Sequence, residues 1–232
     1  MGTIAENIES IQKEKAEAAE RAGRNPEDVL LCAVTKTHTA EEINEAIRAG
    51  VTDIGENKVQ EILDKYDKVL PVRWHMIGHL QTNKVKYIID KVCLIHSVDS
   101  FRLAEEINRR AAQHGIVMDI LVQVNAACDE AKFGVDMDAA EILVREILEN
   151  CSSIRVRGLM TIAPYVEDPE ENREYFRKIR QLSVDIKRKN IDNVSMDVLS
   201  MGMTGDYMVA IEEGSTMVRV GTGIFGARNY NL

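Results

Sequence analysis

The chain has 232 residues, a formal net charge of −9, and 45% hydrophobic, 29% charged and 5% aromatic content. This composition supports a buried core and excludes disordered and collagenous classes, while the acidic balance excludes a general nucleic-acid surface. No apolar run reaches the roughly 18 residues of a membrane span, and acids stand where a secretory signal carries its apolar core, so a cytoplasmic protein with no membrane association is expected.

Ile4, Ile8, Ile11, Ala18 and Ala19 recur at roughly helical spacing and predict a leading helix over the first 22 residues, stopped by Gly23 and turned by Asn25-Pro26. Residues 29–34 then form a continuous apolar run. A strand apolar on both faces signals a parallel sheet covered on both sides. Further strands are predicted at 52–55, 73–77, 92–96, 118–125, 156–162, 194–199 and 217–220. Amphipathic helices are predicted near 40–49, 57–68, 80–90, 100–114, 137–150, 169–189 and 206–213. Such units could also build an open doubly wound sheet. The count of eight strands and the absence of a linker or composition shift favour an α/β fold, a single (β/α)8 TIM-type barrel with an extra N-terminal helix.

Cys32, Cys93, Cys128 and Cys151 are widely spaced, without a C-x-x-C pair, and are expected as buried free thiols rather than metal ligands. His75 and His79 have i,i+4 spacing, but their segment reads as strand then turn and no Glu follows the first His. A zinc pair is not expected.

In such barrels the working groups follow the carboxyl ends of the strands. Here those positions hold Thr35-Lys36-Thr37-His38, Gly55-Glu56-Asn57, Gly78-His79-Leu80-Gln81-Thr82-Asn83-Lys84, Asn125, Met160-Thr161, Ser200-Met201-Gly202-Met203-Thr204 and Arg219-Val220-Gly221-Thr222-Gly223. Lys36 continues the file Leu30, Cys32, Val34. A lysine emerging from an apolar file favours the neutral amine, which is available for imine formation with an aldehyde. The alternative is a strand-end lysine snorkelling to solvent.

Gly221-Thr222-Gly223-Ile224-Phe225-Gly226 fits G-x-G-x-x-G, but a dinucleotide fingerprint must open a βαβ unit, and too few residues follow for one. What remains is close backbone approach and short-helix amides suited to a phosphate, with Ser200, Thr204 and Thr222 supplying hydroxyls. Simple strand-end and capping glycines are the alternative. A reactive lysine and a phosphate cradle together suggest pyridoxal phosphate. Arg219 could then face the pyridine nitrogen and disfavour its protonation, or make a rim salt bridge. Because Lys36 and the cradle must converge on one site, residues 1–232 are expected to form a single domain. Lys84, Lys86 and Lys91 read as an exposed helix surface, with a docking face as the alternative.

At this point the chain resembles the pyridoxal-phosphate homeostasis protein family, whose fold is similar to the N-terminal barrel of alanine racemase (PLP fold type III). The blocks that carry the resemblance are Ala33-Val34-Thr35-Lys36, Gly55-Glu56-Asn57-Lys58-Val59-Gln60-Glu61 and Trp74-His75-Met76-Ile77-Gly78-His79-Leu80-Gln81-Thr82-Asn83-Lys84. To these are added Val124-Asn125, Lys132-Phe133-Gly134, Gly158-Leu159-Met160-Thr161, Leu199-Ser200-Met201-Gly202-Met203-Thr204 and Val218 to Gly226. The resemblance implies pyridoxal 5'-phosphate held as an aldimine on Lys36, with Asn57 and His79 near the ring. It also implies Arg219 at the pyridine nitrogen and Ser200, Thr204, Gly221 and Thr222 at the phosphate. Thr204 stands where the family usually has Ser, and Gly223 where it often has Ala.

The implied role is holding and distributing pyridoxal phosphate without catalytic turnover, with PLP-dependent apoenzymes as candidate recipients. A monomer is expected from the short loops and the lack of an obvious apolar patch. An alanine racemase needs a further β-domain and an opposing tyrosine, and Tyr230 in a short tail is a poor substitute. Two other readings are a pyridoxal-phosphate-dependent amino-acid racemase or lyase, and a cofactor-free Schiff-base aldolase acting on a sugar phosphate.

Overall fold

Capping residues set the helix starts. Thr3 and Glu6 exchange side-chain and backbone hydrogen bonds at the start of α1 (Ile4–Arg21), and Thr39 and Glu42 do the same at α2 (Ala40–Arg48). In this computed structural model, which describes residues 2–127, 129, 133–189, 191–192 and 194–226, the remaining helices are α3 (Val59–Lys65), α4 (Phe101–Gln113), α5 (Met137–Asn150), α6 (Arg173–Arg188), α7 (Tyr207–Glu212) and α8 (Thr222–Phe225). The strands are β1 (Leu30–Val34), β2 (Asp53–Glu56), β3 (Arg73–Met76), β4 (Leu94–Val98), β5 (Met118–Gln123), β6 (Ile154–Met160), β7 (Val194–Met203) and β8 (Met217–Val220). All pair in parallel and in chain order, and β1 closes the ring onto β8 with Cys32 opposite Arg219.

Strand alternation divides the core in two. Outward residues such as Leu31, Ala33, Ile54 and Ile95 pack with buried helix residues such as Ile43, Ile107 and Phe176. Inward residues Cys32, Leu94, Leu121, Met160 and Met217 fill the barrel, with Leu30 and Val198 against them. Leu30 and Cys32 thus face inward as the file leading to Lys36 requires. At Gly158 in β6 the register with β7 shifts and φ is +156°. A Cβ there would fall inside the van der Waals surface of the Val198 carbonyl oxygen.

α1 lies across the end of the chain. Asn7 Nδ2 donates to Ile224 O in α8 at 2.8 Å, Tyr207 Oη of α7 donates to Glu14 at 2.5 Å, and Arg21 pairs with Glu212 at 2.9 Å. Lys15 on the same helix is buried and donates to Val29 O at 2.7 Å, just before β1.

Four expectations need correction. The segment near 80–90 is a 3-10 turn over Thr82–Tyr87, a short connector that buries Val85, Ile88 and Ile89 without forming the expected α-helix. The helix expected from 169 begins as a 3-10 turn at Pro169–Asn172 before α6. β7 runs on to Met203, so Ser200 is a strand residue rather than a loop residue. Cys32 and Cys151 are buried free thiols, but Cys93, just before β4, is exposed; Cys128 lies outside the described residues.

His75 lies in β3 and His79 beyond it, as read from the sequence. Among the described residues no group of three or more His, Cys, Asp or Glu could hold a metal ion, and no helix is long and apolar enough to cross a membrane. Lys84 and Lys86 lie near the Tyr87 ring at 5.7 and 4.9 Å, and Lys91 pairs with Asp90 at 2.9 Å.

Candidate functional site

A cavity of about 450 Å³ opens at the carboxyl ends of the strands, within the size range of small-molecule sites. Lys36, Thr204, Asp206, Arg219, Gly221 and Thr222 line it, with Val34, Ile162, Met203 and Tyr165 as its apolar part. Five of the eight residues singled out in the sequence therefore meet here: Lys36, Thr204, Arg219, Gly221 and Thr222.

The segment carrying Lys36 is held under strain. Thr37 has φ +69°, a left-handed conformation that β-branched residues rarely adopt. Its N–H donates to Glu61 Oε2 at 2.6 Å, while Thr35 Oγ1 donates to Glu56 Oε1 at 2.7 Å. Lys65 from α3 joins these pieces, donating to Thr35 O at 3.0 Å and to Glu56 and Glu61 at 2.8 Å each. Burial pushes the Glu56 carboxyl up, against the pull of Lys65 and Thr35, and its Oε2 is buried with no hydrogen-bond partner. Lys65→Met would strand that buried carboxylate, so a stability loss of about 3–5 kcal/mol is expected. Adding Glu56→Gln should return most of it. Urea denaturation of the single and double variants checks this, and equal losses would show that the charge pair is not what holds the segment.

The cradle sits where β8 meets β1. A Cβ on Gly221 would come within 3.3 Å of Val34 Cβ and 3.4 Å of Val34 O, so the bare glycine lets α8 start hard against β1. Gly223 N donates to Thr204 Oγ1 at 3.4 Å, which ties the β7 end to α8. Asp206 also faces the cavity, but its two oxygens accept from Met203 N at 2.6 Å and Asn172 Nδ2 at 2.9 Å. It serves the turn before α7.

Arg219 is buried at the cavity floor, donating from Nη2 to Thr161 O at 2.8 Å and from Nη1 to Ser200 Oγ at 2.5 Å. Burial pushes its guanidinium down to about 10, which still leaves a cation at neutral pH. Ser200 is wholly buried and holds Arg219 and His96 rather than lining the cavity. Asn57 is half-buried beyond β2, its backbone packed against Gly78. His79, with a side chain 39% exposed, stacks on Phe133 at 3.9 Å and lies 3.8 Å from Asp99. Neither Asn57 nor His79 lines the cavity. Lys132 and Tyr230 lie outside the described residues.

Sequence reasoning missed Asp53, His75 and His96, which stand beneath Arg219 in the barrel interior. Asp53 Oδ1 lies 2.8 Å from His75 Nε2, His75 Nδ1 lies 2.9 Å from His96 Nε2, and His96 Nδ1 lies 2.9 Å from Ser200 Oγ. The signal was a titratable residue buried within each of three short strands, which strand periodicity alone does not separate from capping or rim positions.

The residues present fit a phosphorylated aldehyde. An amine, a glycine cradle with two hydroxyls and a buried cation share one cavity of suitable size. The family model described as alanine racemase, N-terminal domain, matches residues 4–229. A pyridoxal phosphate homeostasis protein of Aquifex aeolicus is 48% identical over 225 residues, covering 96% of each chain. The protein of that name in Escherichia coli K12 is 36% identical, covering 100% of this chain and 99% of its own. The structure of PipY from Synechococcus elongatus, solved with PLP bound, superposes with a TM-score of 0.84 at 33% identity, covering 97% of this chain and all of that one. A Clostridium difficile alanine racemase, at 16% identity and a TM-score of 0.70 over 57% of its length, shares the fold.

Proposed function

The chain belongs to the pyridoxal phosphate homeostasis protein family, and from that premise we propose that it binds and holds pyridoxal 5'-phosphate in the cytoplasm without turning over a substrate. The observation that carries this reading is the convergence of Lys36, Arg219 and the Thr204–Gly221–Thr222 cradle on one cavity. When bound, the cofactor would supply an aldehyde able to condense with the Lys36 amine, its carbonyl oxygen leaving as water. The chain's own residues do the rest. Thr204 and Thr222 present hydroxyls to the phosphate, and Gly221 lets the backbone approach it. Arg219 keeps a positive charge at the floor, which disfavours protonation of the pyridine nitrogen and weakens the ring as an electron sink.

The lining also supports retention over catalysis. Turnover of an amino acid needs a second positioned acid or base. Among the described residues, Asp206 has both oxygens engaged, Tyr165 is 96% exposed at the rim, and His79 stands outside the cavity. The family name and an open cavity at the strand ends support release to PLP-dependent apoenzymes as the use of the held cofactor.

Purified protein incubated with pyridoxal phosphate should carry a visible absorbance band that survives desalting and disappears on borohydride reduction. The reduced adduct should map by mass to the peptide containing Lys36. Incubation with a panel of amino acids in deuterium oxide should show no exchange at the α-carbon. Protein that takes up no cofactor overturns the binding reading, and sustained exchange overturns the non-catalytic one in favour of a racemase or lyase.

A further inference from the structure

The polar groups inside the barrel form a chain whose direction is fixed at both ends. Arg219 can only donate hydrogen bonds, so Ser200 Oγ, 2.5 Å from Nη1, is the acceptor. The hydroxyl hydrogen of Ser200 then goes to its other neighbour, His96 Nδ1, at 2.9 Å. Burial first, then His75 and Arg219, hold His96 far below the usual histidine range, so it is neutral and carries its single hydrogen on Nε2. That hydrogen meets His75 Nδ1, which leaves the hydrogen of His75 on Nε2, facing Asp53 Oδ1. Asp53 can only accept: despite the upward push of burial, hydrogen bonds from His75, Arg73 and Thr52 hold its carboxyl at about 2. With one hydrogen on each ring, reversing any one link would set two hydrogens or two lone pairs against each other. Both imidazole tautomers are thereby assigned.

The arrangement answers a problem posed by Arg219. It is a buried cation whose hydrogen-bond partners, among the described ones, are a hydroxyl and a backbone carbonyl; the Asp206 carboxylate across the cavity acts on it through charge, without a hydrogen bond. A buried charge needs compensation. Hydrogen bonds in series polarise one another, so an anion at one end makes the acceptor at the other end stronger. We infer that Asp53, His75, His96 and Ser200 form a relay of fixed polarity that carries the charge of Asp53 through the barrel to Arg219, and that His75 and His96 are positioning residues for the cation at the cavity floor. The ligand side of this inference rests on the pyridoxal phosphate reading above. The relay itself rests on the protein's own residues.

Two measurements test it. The first uses apo wild-type protein with nitrogen-15-labelled histidine, whose ring-nitrogen shifts report the tautomer directly. Both His75 and His96 are expected protonated on Nε2 and bare on Nδ1 at neutral pH. Either ring found with a Nδ1 hydrogen, or as an imidazolium, overturns the relay.

The second compares His96→Leu with His96→Gln. The amide of Gln offers one acceptor and one donor, and so can preserve the polarity that Leu deletes. Cofactor dissociation constants are expected to rise about tenfold in His96→Leu, the scale of one lost hydrogen bond to a charged group, and to recover in His96→Gln. The visible band of bound cofactor should shift in the Leu variant alone. If the wild type binds cofactor and both variants match it in affinity and band position, the positioning role is wrong. If the wild type binds none, the ligand reading fails while the tautomer result still decides the relay.

Discussion

Lys36→Ala is expected to give a folded protein that takes up no borohydride-reducible chromophore. The lysine is half-buried at the cavity wall, and the variant retains Thr204, Gly221 and Thr222, which line the same cavity. Phosphate-directed contact therefore persists while covalent capture is lost. Wild-type protein saturated at a hundred times its dissociation constant should gain about 2.7 kcal/mol of stability, and the variant, binding more weakly, should gain much less at the same ligand concentration. Lys36→Arg keeps a long nitrogen-bearing side chain but removes the nucleophile, because a guanidinium is a poor nucleophile toward an aldehyde. It should behave like Lys36→Ala. Spectra, mass mapping and thermal shifts read these outcomes, and a reducible adduct in either variant would place the covalent link elsewhere.

Gly158→Ala should be the most damaging single-methyl change in the barrel. The φ of +156° is unfavourable for an L side chain, and the added Cβ would overlap the Val198 carbonyl oxygen, which is backbone and cannot swing aside. Relief requires prying β6 from β7. We expect a loss of about 4 kcal/mol or more, seen as a fall of roughly 10 °C in Tm or as failure to accumulate in soluble form. Gly23→Ala is the control. Gly23 has φ +67° but open space around its missing Cβ, so only the conformational penalty of about 1 kcal/mol applies. Similar losses in the two variants would show that backbone conformation, and not the steric clash, sets the cost at Gly158.

Much of this was legible in the residues. The apolar file Leu30–Cys32–Val34 pointed to Lys36 because strand periodicity is local and needs no knowledge of neighbours. The glycines at 221 and 223 pointed to the cradle because close approach leaves a compositional mark. What stayed hidden depends on register across the ring. Ser200 looked like a loop hydroxyl because the end of β7 carries Gly202 and polar residues. Only closure of the barrel shows it pinned between His96 and Arg219. Nothing in the sequence singles out Lys65, whose grip on Thr35 and Glu56 needs the α3 face to be known. His79 illustrates the opposite case: its sequence block carried a family resemblance, yet its ring lies against Phe133 and outside the cavity.

The closure of β1 onto β8 has a consequence for the order in which the molecule becomes competent. Lys36 follows the first strand and the cradle follows the last, so the two halves of the site are distant in sequence yet adjacent across one seam. No partial barrel can hold both. A ligand held by both Lys36 and Gly221, as proposed, would act as a stitch across that seam, and α1 is a stitch of the protein's own, fastening Asn7 to Ile224 just outside it. On the proposed site, cofactor capture would be a readout of completed folding, and its binding energy would fall on the junction whose contacts have the greatest sequence separation and the highest entropic cost of closure.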